Sequence, residues 1–98
     1  MKLTSRQRTH LKSLGHHLSP VVQVGHQGIT EELVKEVDRA LETHELIKVK
    51  FGEHAGDRHE LAAELAKQTN SALAQVIGRN ALLYRRREKD PVIELPKG

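Results

Sequence analysis

The sequence predicts an α/β fold: a compact single domain in which three helices cover a mixed four-stranded sheet, in the order α-β-α-β-α-β-β. The chain has 98 residues, enough for one ordinary domain and too few for two. Apolar residues at helical spacing alternate along it with short apolar runs typical of strands. A tight turn alone separates the last two of those runs. We therefore expect residues 1–98 to form one domain.

The first predicted helix is capped by Thr4 and runs to about Gly15 or His17. Its leucines fall near one stripe and are expected to face inward: Leu3, Leu11, Leu14 and Leu18. Pro20 disfavours a helical conformation in the residue before it, so the apolar residues 21–24 are predicted to form a short buried strand.

The second helix is predicted over residues 31–44, because Thr30 is a suitable cap and apolar side chains recur on one face. In residues 46–51, Lys48 and Lys50 alternate with apolar side chains, the pattern of a strand with one buried face. This second strand is expected to run parallel to the first, since a helix connects the two.

The third helix, over residues 58–69, begins after Asp57 in a segment that resembles a capping box. Two further strands, at about 72–77 and 81–86, are joined by the turn Gly78-Arg79-Asn80 and are predicted to form a hairpin. The remaining tail, 92–98, is expected to be loose, or to pair at the sheet edge over residues 92–95.

Composition excludes several classes of protein. The chain contains no cysteine, so it has no disulfide, no thiolate metal site and no thiol nucleophile. No apolar run approaches the roughly 20 residues that a membrane helix needs. We expect a cytoplasmic protein with no cofactor, no metal, no membrane segment and no small-molecule substrate.

Positive and negative charges are segregated along the chain, whose net charge is +3. Residues 1–30 contain no acid, and 31–45 contain six. The two basic blocks are Lys2, Arg6, Arg8 and Lys12 near the start, and Arg79, Arg85, Arg86 and Arg87 between residues 71 and 87. The blocks either converge into one anion-binding surface or form separate solvated faces, and charge alone does not decide between these interpretations.

The loop Gly25-His26-Gln27-Gly28 lies between a predicted strand and a predicted helix start. Backbone N–H groups in such a loop can point together at an anion, although two glycines around a tight connection are also common. Glu31 and Glu32 would repel an anion on the helix axis, so contact is expected from the loop and its flanks. The residues required for a Walker phosphate loop or a dinucleotide fold are missing.

The only aromatic residues are Phe51 and Tyr84, too few for a sheet that stacks several bases. Phe51 is expected in the core, and Tyr84 is expected to be more open because arginines alternate with it. If the chain binds nucleic acid, recognition should therefore rest on phosphates and shape.

Seven histidines raise the question of a metal or of acid–base chemistry. The pairs His16-His17 and His54 with His59 lack the i, i+4 spacing of helical zinc ligands. A histidine-based ribonuclease would need two such groups converging on one phosphate, which the sequence cannot demonstrate.

Three segments resemble the bacterial YhbY family, the stand-alone form of the CRM (chloroplast RNA splicing and ribosome maturation) domain. They are residues 18–30 with the glycine loop, residues 44–50 of the second strand, and residues 75–78 with 83–85 of the closing hairpin. The resemblance implies a fold similar to the C-terminal domain of translation initiation factor three, binding to structured RNA, and association with precursors of the large ribosomal subunit.

Carried over by position, the resemblance makes Gly25 to Gly28 the RNA-contacting loop, supported by Lys48, Lys50 and the basic residues of the first helix and last strand. Family members often carry a lysine inside the loop and another before the proline, where this chain has His26 and Ser19. Loop contact should therefore be weaker, or sensitive to pH where His26 meets a phosphate.

The leading hypothesis is a non-catalytic RNA-binding protein acting in large-subunit assembly. The alternative is a protein-interaction adaptor that docks through the basic face or through the acidic second helix, which carries Glu31, Glu32, Glu36 and Glu42. A nuclease is a third and more distant possibility.

Overall fold

A computed structural model describes residues 2–53 and 55–98. The elements follow the predicted order, and the strands form one sheet in the order β1-β2-β4-β3, with β1 and β2 parallel and the other two pairs antiparallel. The helices are α1 (Ser5–Gly15), α2 (Glu31–His44) and α3 (Arg58–Gln68), and the strands are β1 (Pro20–Val24), β2 (Leu46–Phe51), β3 (Ala72–Ile77) and β4 (Asn80–Tyr84). The predicted fold class is confirmed.

Each helix begins directly after the residue that was predicted to cap it. Thr4 forms a capping box with Gln7, in which each side chain accepts a hydrogen bond from the other residue's backbone N–H. The Thr30 hydroxyl accepts from a backbone N–H in the first turn of α2, and the Asp57 carboxylate accepts from two such groups in α3. These side chains satisfy N–H groups that a helix cannot pair internally.

One face of the sheet is covered by α2 and α3. The apolar side chains of β2 that were predicted to face inward lie in this core, where Phe51 is fully buried. The helices contribute Leu33, Val37 and Leu41 from α2, and Ala62, Leu65 and Ala66 from α3. Lys48 and Lys50 therefore project from the other face of the sheet.

This second face is only partly covered, because α1 has 11 residues and spans about 16 Å. Gly15 ends the helix against Leu82 of β4, and a Cβ at Gly15 would lie 2.5 Å from a Leu82 methyl carbon. A larger residue at this position would require the Leu82 side chain to shift. The predicted leucine stripe is wrong in its second half: Leu3 and Leu11 are buried, but Leu14, in the last turn of α1, and Leu18, beyond the end of the helix, are exposed.

Glu45 joins α2 to β2 and is buried, with a φ of 64°. One carboxylate oxygen accepts from the N–H of Arg87 at 2.8 Å, and the other accepts from Val92 at 2.6 Å and Ile93 at 2.8 Å. The carboxylate thereby pairs three backbone N–H groups in the segment that follows β4. Two predictions are wrong here: β4 ends at Tyr84 and not at residue 86, and residues 92–95 form no strand.

The tail instead packs against the second sheet face. Ile93 and Leu95 cover a small apolar cluster that includes Tyr84, which is fully buried and not open as predicted. The carbonyl of Pro96 accepts a hydrogen bond from the Gln7 side chain at 3.0 Å, which ties the end of the tail to α1.

Arg85 follows β4 and fastens its end to the helices. Its guanidinium bonds to the carboxylate of Asp38 at 2.6 Å, to the carboxylate of Glu42 at 3.1 Å and to the carbonyl of Thr69 at 2.8 Å. Since Asp38 and Glu42 belong to α2 and Thr69 follows α3, one side chain connects three parts of the fold.

Glu45→Gln should destabilise the fold and reduce its sensitivity to acid. Burial alone would raise the pKa of Glu45, but the backbone N–H donors and Arg87 outweigh burial and hold that pKa below its ordinary value. As pH falls from about 5, the unfolded chain takes up a proton before the folded one does, so stability is lost. Urea unfolding should show a loss of about 1–3 kcal/mol at neutral pH.

The matched control is Glu64→Gln, at an exposed position on α3. It should leave both the neutral-pH stability and the acid sensitivity unchanged. An acid-induced loss of stability in Glu45→Gln equal to that of the unmodified chain would contradict this role for the carboxylate.

Candidate nucleic-acid interface

The glycine loop is a tight turn between β1 and α2. The N–H of Gly28 donates to the carbonyl of Gly25 at 3.0 Å, and His26 and Gln27 are exposed at the tip. Gly28 has a φ of 72°, a conformation that favours glycine. Gly25 does not have a positive φ, and a Cβ placed on it would meet nothing within 4 Å. Within the described chain, packing and backbone conformation do not require a glycine at Gly25.

The side of the loop that faces α2 is acidic. Glu32 and Glu36 line the same shallow depression as the loop, and the cap residue Thr30 already accepts from the N–H of Leu33. Carboxylates at this position oppose an anion at the start of α2. A phosphate would therefore approach the loop from the side of the sheet.

On that side, one row of residues crosses the sheet beside the loop. Gln23, Lys50, Asn80 and Ile77 are register partners in β1, β2, β4 and β3, so they share the partly covered face. Gln23 also borders the depression at the loop, and Lys50 is exposed. The register thus places Lys50 beside Gln23, two residues before the loop begins.

Lys48 lies one pleat further along β2 and meets the end of α1. Lys12, His16 and Lys48 line one depression, together with Gln75 of β3, and none of its lining residues is acidic. We call the surface formed by Lys12, His16, Gln23, Lys48 and Lys50 the open face. It brings together residues from α1, β1 and β2 that are far apart in sequence.

The arginines after β4 lie at the other end of the sheet. The loop follows Val24, which pairs with Phe51 at the end of β2, whereas Arg85 follows Tyr84, which pairs with Leu46 at its start. The length of β2 separates the two positions by about 17 Å. Among the predicted site residues, Lys50 therefore lies nearest the loop, Lys48 and Lys12 lie further along the same face, and Arg85 to Arg87 lie at the opposite end of the sheet.

Two of these arginines are engaged within the fold. Arg85 bonds to α2 as described, and Arg87 donates to the carbonyls of Thr43 at 3.2 Å and Asp90 at 2.6 Å. Arg86 is exposed and forms no side-chain hydrogen bond or ion pair with the described residues. Their contact with RNA stays a prediction, for which Arg86 is the most accessible of the three.

The basic residues of the first block are spread along α1. Lys2 and Arg6 are exposed at its start, near the tail that Gln7 holds, and Lys12 is at its end beside Lys48. Arg8 is half-buried and donates to the carbonyl of Leu73 in β3 at 3.2 Å. Roles of these side chains in RNA contact also stay predictions.

Sequence reasoning missed His16 and Gln23 as neighbours of the lysines. Gln23 was included only in a buried strand, yet its position between the inward-facing Val22 and Val24 indicates an outward side chain. The proximity of His16 to Lys48 depends on how α1 crosses the sheet, for which the sequence carries no local signal.

The histidines do not form a metal centre within residues 2–53 and 55–98, where no three potential His, Cys, Asp or Glu ligands come together. The rings of His16 and His17 contact each other edge to face, with centroids 5.1 Å apart. His54, which the sequence paired with His59, lies outside the described residues. No helix among the described residues is long and apolar enough to cross a membrane.

The sequence model of the CRS1 / YhbY (CRM) domain family matches residues 3–85 of this chain. A probable RNA-binding protein of Pseudomonas aeruginosa is 48% identical over 90 residues, which cover 91% of this chain and 86% of that protein. The probable RNA-binding protein YqeI of Bacillus subtilis is 39% identical over 95 residues, covering 96% of this chain and 99% of the relative.

A solved structure agrees with these matches. The solution structure of a Staphylococcus aureus protein superposes with a TM-score of 0.83 and 40% sequence identity, covering 97% of this chain and all of that one. The family match covers most of the chain, the identities extend over nearly its whole length, and the fold is shared. The chain therefore belongs to the CRS1/YhbY (CRM) domain family.

Proposed function

We propose that this chain is a non-catalytic RNA-binding protein that holds the sugar–phosphate backbone of structured RNA between the glycine loop and the open face. One observation carries the proposal: Lys50, with Lys48 one pleat further along the same face, lies near a loop whose first glycine, Gly25, is not required by the fold. An absent side chain at an exposed turn lets another backbone come close. The relatives that are named as RNA-binding proteins support the same partner.

Recognition through phosphates and shape is the mode that this surface supports. Phe51 and Tyr84 are both fully buried, so neither aromatic ring is available to stack on a base. The lysines of the open face neutralise phosphates, and exposed backbone and amide groups of the loop supply hydrogen bonds. Such an interface favours RNA with a fixed backbone geometry, as in a helix or a folded loop.

The role we propose is that of a cytoplasmic assembly factor for the large ribosomal subunit, bound to ribosomal RNA in precursor particles. A modest positive surface suits a factor that must leave when assembly ends, because binding through few phosphate contacts is reversible. We expect no turnover of RNA.

Docking of a partner protein through α2 stays the alternative. Of the acidic residues in that helix, Glu42 is bonded to Arg85, whereas Glu31, Glu32 and Glu36 are exposed along the helix surface. This alternative predicts a complex that resists salt and survives nuclease treatment.

The double variant Lys48→Gln/Lys50→Gln should weaken binding to a structured ribosomal RNA hairpin and flatten its salt dependence. Removing one lysine–phosphate contact reduces the slope of log affinity against log salt by about one. The matched control, Lys35→Gln/Lys67→Gln, removes the same charge from exposed positions on α2 and α3. Equal losses of affinity in the two variants would show that net charge, and not the open face, governs binding.

Gly25→Leu should lower RNA affinity by about tenfold or more while changing the free energy of unfolding by less than about 0.5 kcal/mol. The added side chain meets open space in the protein but obstructs a backbone that approaches the turn. Titration of the RNA hairpin and urea unfolding measure the two quantities. Unchanged affinity of Gly25→Leu for RNA would show that the loop is not part of the binding site.

The assembly role predicts where the protein migrates in a sucrose gradient of cell extract. It should comigrate with precursors of the large subunit and be absent from mature ribosomes, and Lys48→Gln/Lys50→Gln should shift it to the top of the gradient. Migration of the unmodified protein with mature ribosomes, or entirely as free protein at low salt, would contradict the role.

A further inference from the structure

An apolar groove runs beside β1, outside the open face except where the two surfaces meet at Lys48. Its walls carry Leu14, Leu18 and Val21, which are 41%, 37% and 48% exposed. Leu46 and Ile47 form its buried floor. Large apolar side chains gathered around one concavity are typical of a surface that another molecule covers.

The fold itself explains why this groove is left open. α1 ends at Gly15, so Leu14 lies in its last turn and Leu18 lies beyond its end, and neither side chain is covered by the helix. β1 is an edge strand, with β2 as its only strand neighbour in the described sheet. The tail borders the groove only with Ile93, which is held by Glu45, and then continues away from it to Pro96, which is bonded to Gln7.

Charge and shape indicate what would fill the groove. The ionisable residues among its lining are His44 and Lys48, and none is acidic. A second copy of the chain would bring these like groups together. An aliphatic lining offers RNA bases neither an aromatic face nor many hydrogen-bond partners.

The edge of β1 is poorly suited to pairing with an added strand. The strand begins with Pro20, which has no N–H, and its register shifts between Pro20 and Val22. An occupant therefore gains more by inserting side chains into the groove than by extending the sheet.

We propose that this groove docks a partner protein, through a segment that inserts aliphatic or aromatic anchors and carries Asp or Glu beside them. The partner's carboxylates face His44, its anchors fill the space between Leu14, Leu18 and Val21, and Lys48 at the boundary stays available to RNA. RNA on the open face and protein in the groove are then bound at adjacent surfaces, so the chain can join the two.

A photo-reactive amino acid at position 18 tests the proposal in nuclease-treated extract of the native host. The matched control carries the same group at Ile77, which is 59% exposed and does not line the groove. Position 18 should yield a protein adduct and position 77 should not. Mass spectrometry of the adduct should identify a segment with apolar and acidic residues.

Two substitutions then examine the contacts. Val21→Ser should reduce the adduct about tenfold, and His44→Glu should reduce it several-fold by charge repulsion. The RNA affinity of Val21→Ser should be unchanged, so failure here is distinguishable from failure of the proposed RNA site. The proposal is overturned by no protein adduct at position 18, by an adduct with a second copy of this chain, by equal yields at both positions, or by a basic cross-linked segment.

Discussion

The buried carboxylate of Glu45 determines how the last part of the chain is arranged. It lies where α2 passes into β2, and its two oxygens accept three backbone N–H groups from residues 87, 92 and 93. A buried charge is tolerated only when it is hydrogen-bonded in this way. Because of it, the tail lies over the Tyr84 end of the second sheet face and not over the loop end.

The consequence is a sheet face divided into two halves. At one end the tail and the first turns of α1 enclose an apolar cluster around Tyr84. At the other end α1 stops at Gly15, and the face that continues beyond it carries Lys50 near the glycine loop, with Lys48 one pleat further away. Lys50 is exposed and Lys48 is only half-buried because α1 and the tail end before they cover this part of the sheet. Arg85, which looked equivalent to them in sequence, holds the ends of β4, α2 and α3 together.

Most of the fold could be predicted from the sequence because its signals are local. Caps at Thr4, Thr30 and Asp57 and the alternation in β2 determine where those elements begin and which way they face. The errors arise where tertiary contacts decide. The end of β4 and the path of the tail depend on Glu45, and the exposure of Leu14 depends on where α1 meets Leu82. None of these contacts has a signature in the neighbouring sequence.

The residues of the candidate site could be predicted one by one, but not which of them lie together. Its loop and lysines could be identified individually, but strand register is required to place Lys50 beside Gln23. The most direct test is to follow the backbone amide signals of isotopically labelled protein by NMR during titration with a structured ribosomal RNA hairpin. The account predicts the largest shifts at Gly25 to Gly28, Lys48 and Lys50. Shifts concentrated on α2 and α3, with the loop and β2 unaffected, would contradict it.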